Sequence, residues 1–376
     1  MAEVTNYIDR LVAELCPDGV EYRPLGEVAK IKNGKGYKDF LPGNIPVYGS
    51  GGVMTYVDTF AYDKPTVLIP RKGSLGNLFY LEEPFWNVDT IFYTEIDESC
   101  VIPKYLFYVL RSAELEKLNT AGGVPSLTQK VLNKVLIPVP PLEIQEAIVE
   151  ILDKFTNLEA ELEAELEART LQYEYYRDSL FEALDCPRVP LGSLGIRNKG
   201  IAITASKMRT LEPGNKDVRI FAAGATFVDT DSSFIPDKGI LEGPAIIVKS
   251  RGHIGFEYYE GKFTHKNELW SYSLTSDLVE QKFIYYYLLT QTYYLHELAR
   301  GKSVKLPQLA VKDTDELLVP VPSLEEQQRI VDILDRFDAL TTSLSEGLPA
   351  ELAARRSQYE YYRDQLLSFP RKGENQ

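Results

Sequence analysis

The chain has 376 residues, 44% of them hydrophobic and 26% charged, a composition typical of folded domains and a length sufficient for two of them. It contains no run of eighteen apolar residues, and its first twenty residues include Glu3, Asp9 and Glu14, so we expect neither a membrane span nor an export signal. Three cysteines are too few for a disulfide framework and favour a reducing, cytoplasmic location. The three histidines are scattered and show no recognisable metal-ligand spacing.

The net charge of −14 is unevenly distributed. Residues 135–187 hold 13 Asp/Glu against 3 Lys/Arg, whereas residues 1–134 hold 17 against 14 and residues 188–316 hold 15 against 17. Phosphate binding requires Lys and Arg. A polyanion can therefore meet either balanced stretch without meeting the acidic one, so the charge permits DNA binding but does not show it.

The first elements of the chain form a strand-rich globular segment. Residues 66–70 form an apolar run that predicts a short strand, followed by a turn with glycines at 73 and 76, and residues 103–119 predict a helix. From 142 to 181, apolar residues recur at helical spacing without Gly or Pro. This pattern predicts one helix about 60 Å long.

The second half of the chain presents the same order of elements. A strand is predicted at 245–249 and a helix at 278–300, and a capping-box pattern from Ser323 to Glu326 begins a second long helix. Gly347 and Pro349 predict a break in that helix.

The two halves are an internal repeat. Residues 137–145 (Ile-Pro-Val-Pro-Pro-Leu-Glu-Ile-Gln) match residues 319–327, and Gln172-Tyr-Glu-Tyr-Tyr-Arg-Asp178 recurs unchanged at 358–364, with four extra residues in the second copy. The predicted fold is α+β, with two similar globular α/β domains joined by two long antiparallel helices that form a coiled coil, in a circular, pseudo-two-fold order. The predicted boundaries are 1–16 (a helix fragment completing the helical region), 17–136, 137–186 (helical), 187–318, 319–370 (helical) and 371–376 (a tail).

The turns after the two predicted strands are the best candidates for binding. Residues 71–76 align with 250–255, and residues 47–51 align with 220–224. The first pair places hydrogen-bond donors on glycine-bearing loops, which can approach a nucleic-acid backbone or base edge closely. The alternative is a pair of ordinary solvated turns, but recurrence with different side chains favours a shared surface with divergent specificity.

The repeated Tyr-Glu-Tyr-Tyr-Arg-Asp segments combine packing with a candidate interface. Tyr173 and Tyr176 fit the buried stripe of the first helix. Off that stripe lie four residues predicted to face a partner subunit: Tyr175, Arg177, Tyr361 and Arg363.

No catalytic centre is recognisable. Asp237, Glu260 and Lys262 form a loose acidic-lysine pattern like that of some nucleases, but the first globular domain shows no counterpart. A nuclease is therefore the weakest alternative, and a coiled-coil scaffold whose globular domains bind proteins or glycans is the second.

The helical segments, with their Pro-Val-Pro-x-Leu-Glu-x-Gln entrances and Gln-Tyr-Glu-Tyr-Tyr-Arg-Asp exits, resemble the conserved regions of type I restriction–modification specificity subunits. The resemblance implies a non-catalytic DNA-reading subunit in which each globular domain recognises one half of a bipartite double-stranded site and the helices set the spacer. It also implies docking of two adenine-methyltransferase subunits and of motor-nuclease subunits. The chain would need no cofactor of its own, because S-adenosylmethionine, ATP and Mg²⁺ would be held by those partners.

Candidate DNA-contacting residues lie in both globular domains. They are Lys35, Tyr48, Ser50, Arg71, Lys72, Ser74 and Asn77 in the first, and Lys199, Lys249, Ser250, Arg251 and His253 in the second.

Overall fold

The computed structural model describes residues 2–119, 125–211, 216–302, 306–341 and 347–373, without the side chains of residues 2–6. The chain divides into two units, residues 1–163 with 351–376, and residues 164–350. Below, residues 17–136 are called lobe 1 and residues 187–318 lobe 2.

Lobe 1 follows a first helix, α1 (Ala2–Leu15). Its elements are β1 (Tyr22–Pro24), α2 (Leu25–Val28), β2 (Ala29–Asn33), β3 (Pro42–Gly49), β4 (Gly52–Val57), β5 (Thr66–Pro70), β6 (Phe79–Leu81), β7 (Trp86–Asn87), β8 (Ile91–Ile96), α3 (Pro103–Ser112), α4 (Gln129–Leu132) and β9 (Leu136–Pro138). All five residues of β5 are buried, as expected for a continuous apolar strand covered on both faces.

Lobe 2 follows the long helix α5 (Leu142–Glu182). Its elements are β10 (Arg188–Pro190), β11 (Gly195–Lys199), α6 (Ala205–Arg209), β12 (Val218–Phe221), β13 (Phe227–Thr230), β14 (Leu241–Glu242), β15 (Ala245–Lys249), β16 (Gly255–Tyr259), β17 (Lys262–His265), β18 (Trp270–Leu274), α7 (Gln281–Thr290), α8 (Thr292–Gly301), α9 (Val311–Asp315) and β19 (Leu318–Pro320). The chain ends with α10 (Leu324–Thr341) and α11 (Leu348–Leu366), and short 3₁₀ turns occur in both lobes.

The two lobes share one topology. The main sheet has the order β2-β8-β5-β6 in lobe 1 and β11-β18-β15-β16 in lobe 2, with antiparallel neighbours. The second sheet has the order β4-β3-β7 in lobe 1 and β13-β12-β17-β14 in lobe 2, and in each the third strand pairs in parallel with the second. A two-stranded ribbon, β1-β9 or β10-β19, completes each lobe. The predicted structural repeat is confirmed.

Each lobe buries the first turns of a long helix in its main core. That core lies among the main sheet, the helix that follows it in the chain (α3 or α7) and the start of α5 or α10. Its equivalent buried residues are Val67, Ile69, Leu106, Leu110, Ile148 and Leu152 in lobe 1, and Ile246, Val248, Ile284, Leu288, Ile330 and Leu334 in lobe 2.

The helices pair within each unit. In the first unit, the Phe155 ring stacks on Tyr362 with centroids 5.7 Å apart, and Arg356 bonds to Glu159 and Glu163. Because residue numbers rise along α5 as they fall along α11, the pair is antiparallel. In the second unit, Tyr176 of α5 stacks on Phe337 of α10 at 5.8 Å.

The burial predicted for Tyr176 is wrong, whereas the break predicted in the second long helix is present. Tyr176, predicted to be buried, is 44% exposed, because its ring covers Phe337 from the outside of the pair. The predicted break is confirmed at Gly347, whose φ of +84° is not helical and after which α11 begins. Residues 342–346, which the sequence assigned to the second helical region, lie outside the described residues.

A buried glutamine joins each long helix to its lobe. The Gln145 side chain accepts a hydrogen bond from the Ile102 N–H and donates to the Cys100 and Pro140 carbonyls, each at 2.8 Å. Gln327 repeats the arrangement with Glu280, Leu278 and Pro322. These bonds explain the glutamine in both copies of the helix-entrance motif.

Replacing Gln145 with alanine should lower the free energy of unfolding by about 2–4 kcal/mol, because buried backbone groups lose their partner. Urea denaturation of the full chain measures this loss. Glu150→Ala, which removes an exposed helical ion pair with Lys154, is the control and should cost less than about 0.5 kcal/mol. Equal effects of the two variants would contradict this role of Gln145.

Candidate DNA interface

The turn after β5 is held by main-chain contacts, and its Lys72 and Ser74 side chains are exposed. The Gly73 N–H donates to the Pro125 carbonyl at 3.1 Å, and the Leu127 N–H donates to the Arg71 carbonyl at 2.8 Å. Lys72 and Ser126 form an isolated antiparallel β-bridge. Gly73 has a φ of +82°, in the region that favours glycine.

The turn after β15 is held in the same way. The Gly252 N–H donates to the Pro307 carbonyl and the Leu309 N–H to the Ser250 carbonyl, both at 2.9 Å, and Arg251 forms a bridge with Gln308. Gly252 has a φ of +76°. The two turns therefore present their side chains on the same main-chain frame.

In lobe 1 this turn lies against the hairpin between β3 and β4. The Asn77 amide donates to the Ser50 carbonyl at 3.2 Å, and the Ser50 N–H donates to the Thr90 hydroxyl at 3.3 Å. Tyr48, half-buried at the same hairpin, packs on Phe79 with ring centroids 5.5 Å apart. Burial raises the pKa of the Tyr48 hydroxyl, with a smaller contribution from Tyr56, so Tyr48 offers a neutral hydroxyl.

Lys35, Arg71 and Lys72 contact the segment from Trp86 to Phe92, and Ser74 lies in the same turn as Lys72. The Lys35 N–H donates to the Asn87 carbonyl at 2.9 Å, and the Arg71 N–H donates to the Thr90 carbonyl at 2.8 Å. The Lys72 ammonium lies 3.8 Å from the Asp89 carboxylate. The structure thus gathers all seven predicted residues of lobe 1 (Lys35, Tyr48, Ser50, Arg71, Lys72, Ser74 and Asn77) at one end of its sheets.

Side-chain exposure at this end suits an external anion. Lys35, Lys72, Ser74 and Asn77 are exposed. The Lys72–Asp89 pair is exposed on both sides, so it holds the ammonium only weakly. A phosphate could therefore replace the carboxylate at little cost.

Lobe 2 places Lys199, Arg251 and His253 on its surface. Lys199 ends β11, and two residues on, the Ile201 N–H donates to the His265 carbonyl at 2.8 Å, as the Lys35 N–H does to Asn87. Arg251 and His253 lie in the turn that corresponds to Lys72 and Ser74.

Lys249 and Ser250 were predicted to be surface donors, and this prediction is wrong because both are buried. They are 5% and 2% exposed. The Lys249 ammonium lies 3.0 Å from the Glu257 carboxylate and donates to the Ala222 carbonyl at 3.2 Å, and the Ser250 hydroxyl donates to the Glu268 carbonyl. Lys249 is buried by its contacts with Ala222 and Glu257, and Ser250 by its contact with Glu268, so both side chains support the turn from within.

Of the four residues predicted to face a partner subunit, two are exposed and two are largely covered. Tyr175 and Tyr361 are 69% and 59% exposed. The side chains of Arg177 and Arg363 are only 13% and 17% exposed, because each lies over a tyrosine ring of its own helix and bonds to the next aspartate. The tyrosines, rather than the arginines, are therefore available to a partner.

Glu260 of the nuclease alternative has a partner outside the Asp237 and Lys262 pattern. No group of three potential metal ligands occurs among the described residues. Glu260 instead accepts a hydrogen bond from the Tyr258 hydroxyl at 2.5 Å. Only this tyrosine–glutamate contact recurs in lobe 1, where Glu82 accepts a hydrogen bond from the Tyr80 hydroxyl at 2.7 Å.

A buried polar residue that was not predicted lies beneath each interface. Asn87 is 1% exposed and donates to the Ile91 carbonyl, and His265 is fully buried at the equivalent place, where β17 pairs with β12. Burial, with a smaller contribution from the Lys249 charge, lowers the pKa of His265 from 6.5 to about 4. The imidazole is therefore neutral at pH 7. An alignment of β7 with β17, the strands that pair with β3 and β12, would have identified Asn87 and His265. These strands are too short to be recognised from periodicity in the sequence.

The fold and these paired surfaces define a protein with two equivalent recognition lobes on helical arms. The sequence pattern of the type I restriction modification DNA specificity domain matches residues 17–168 and 236–354. The chain is 30% identical to the type I restriction enzyme EcoR124I/EcoR124II specificity subunit of Escherichia coli, over 97% of this chain and 98% of that one.

Solved structures show the same fold. The type I restriction–modification S subunit from M. genitalium superposes with a TM-score of 0.61 at 19% identity, covering 93% of this chain and 96% of that chain. A chain from a structural study of complex assembly and conformational transition in the type I system gives 0.60 at 16% identity, covering 93% and 97%.

The chain belongs to the family of type I restriction–modification specificity subunits. It is a DNA specificity subunit, in a family of non-catalytic subunits that form complexes with other subunits. None of the described helices is both long and apolar enough to cross a membrane.

The buried histidine predicts a pH dependence confined to lobe 2. Its folded pKa lies below its unfolded pKa, so its contribution to stability is complete above about pH 6.5 and is lost as the pH falls toward 4. At about pH 5 the loss should be about 2 kcal/mol. Urea unfolding followed by Trp270 fluorescence, in a Trp86→Phe background that leaves one tryptophan, measures it.

His265→Asn, which places there the residue found in lobe 1, should remove this pH dependence. An equal loss of stability between pH 7 and pH 5 in both proteins would rule out the histidine as its source.

Proposed function

We propose that each lobe reads one half of a bipartite double-stranded DNA sequence through the side chains gathered at its interface. One observation carries this proposal: the turns after β5 and β15 have the same main-chain contacts but different exposed side chains, Lys72, Ser74 and Asn77 against Arg251 and His253. A shared frame docks both lobes on the duplex alike, while different donors select different base edges.

The paired helices then act as a ruler. The start of each long helix is part of a lobe core, so the length of helix between the lobes sets the number of unread base pairs between the half-sites. The exposed Tyr175 and Tyr361 occupy equivalent places in the repeat and fit two copies of one partner, for which two methyltransferase subunits are the proposed candidates.

The chemistry is assigned to those partners. Methyl transfer to adenine with S-adenosylmethionine would take place on the methyltransferase subunits. ATP- and Mg²⁺-dependent cleavage would take place on motor-nuclease subunits, with the whole assembly in the cytoplasm.

Single exposed cations should contribute to binding by one lobe at a time. Lys35→Ala and Arg251→Ala should each weaken binding of the methyltransferase complex to its site by about tenfold, since each removes a phosphate or base contact. Lys30→Ala removes the same charge opposite Glu95, at the far end of the same sheet, and should change the affinity less than about twofold. Equal losses for Lys30 and Lys35 would point to a general charge effect instead.

Exchange of residues 20–134 with those of another member of the family should change one half of the recognised sequence and preserve the other. Sequencing of DNA methylation in cells that express the chain with its methyltransferase partner measures this directly. A change in both halves, or in neither, would refute modular reading. Absence of any specific DNA binding would favour the scaffold alternative.

A further inference from the structure

A polar cluster that no DNA-facing loop uses joins lobe 1 to α5. The Asp153 carboxylate accepts hydrogen bonds from the Lys104 ammonium at 2.7 Å and from the Tyr108 hydroxyl at 2.5 Å. Lys104 and Tyr108 lie one turn apart on α3, so both face the same point of α5. The three side chains bind the helix of the lobe to the long helix.

The same cluster occurs in lobe 2. The Asp335 carboxylate of α10 accepts hydrogen bonds from the Lys282 ammonium at 2.7 Å and the Tyr286 hydroxyl at 2.5 Å, both on α7. Donors, acceptor and distances are repeated.

Each cluster also reaches the outer strand of the main sheet. The Lys104 ammonium lies 5.7 Å from the centre of the Tyr80 ring on β6, and Lys282 lies at the same distance from Tyr258 on β16. Those tyrosines are in turn bonded to Glu82 and Glu260. Sheet, lobe helix and long helix therefore meet at one set of directional contacts in each lobe.

The cluster is better suited to orienting the lobe on its long helix than to stabilising the contact between them. Asp153 and Lys104 are 27% and 34% exposed, so solvent weakens their attraction and the gain in stability is modest. Apolar packing already holds these elements together, but it is non-directional. Hydrogen bonds to one carboxylate from two side chains fix an angle.

The repetition separates this role from base reading. The exposed side chains of the two interfaces differ, as expected for surfaces that select different sequences. The clusters at the helices are identical in residue type, which indicates a task common to both lobes.

We propose that Asp153 and Asp335 are positioning residues that hold each recognition lobe at a fixed angle on its long helix, so that the two half-sites are read only at one spacing. This inference rests on the proposed function. It adds to helix length a second condition for spacer selection, the stiffness of the joint between lobe and helix.

Asp153→Asn and Asp335→Asn test this in the full chain bound to its methyltransferase partner. Binding is measured to DNAs with both half-sites intact and the spacer at its natural length or one base pair longer or shorter, a shift of about 3.4 Å per base pair. Each variant should reduce the preference for the natural spacer about tenfold, chiefly by improved binding to the altered spacers. The base preference within each half-site should not change.

Two further variants keep the test decisive if Asn disturbs folding. Tyr108→Phe removes one hydrogen bond while retaining the ring, and it should relax the spacer preference in the same direction. Glu150→Gln makes the same charge change on the same helix at an exposed pair, so it should leave the preference intact.

The outcomes are distinct. An unchanged spacer preference in all the cluster variants, or an equal loss of affinity for every spacer, would overturn the positioning role while the proposed function stands. Absence of sequence-specific binding by the unmodified complex would overturn the proposed function and this inference with it.

Discussion

Both units depend on the burial of the first turns of a long helix in the core of a lobe. Gln145 and Gln327 are fully buried, and each satisfies three backbone groups that would otherwise lack a partner away from water. The long helices are therefore part of the lobe cores and not appendages to them. Because an amide side chain has fixed donor and acceptor directions, the helix enters its lobe at a defined point. The proposed reading of spacing requires this condition.

In each candidate interface, the main chain fixes the shape of the turn and the exposed side chains supply its polar groups. Backbone hydrogen bonds hold the turns after β5 and β15, so the exposed side chains of those turns can change without changing the fold. Under the proposed function, the two lobes thus diverge in sequence preference while keeping a common docking geometry. The excess of acidic residues on α5 does not oppose this arrangement, because the loops with the exposed cations belong to the nearly balanced lobes.

The lobes share a topology but differ beneath the interface. Lobe 2 has the buried Lys249 ammonium, paired with the partly exposed Glu257, and a two-bond contact between Arg219 and Asp229, where lobe 1 has Pro70 and Pro46. Buried charges are tolerated only when they are paired. The second lobe therefore depends more on electrostatics and on the protonation of His265, whereas the first relies on neutral packing around Tyr48 and Phe85.

The sequence by itself determined the repeat, the two long helices, the buried strands β5 and β15 and the two turns, because periodicity and self-similarity are local properties of a chain. It also contained the signal for the joint, since Lys-x-x-x-Tyr recurs at 104–108 and 282–286 and Asp153 aligns with Asp335. Only the tertiary structure decided which donors face solvent. Lys249 is buried by contacts with Ala222 and Glu257, and Ser50 meets Asn77 across 27 residues. Exposure depends on such distant neighbours, and no local pattern encodes them.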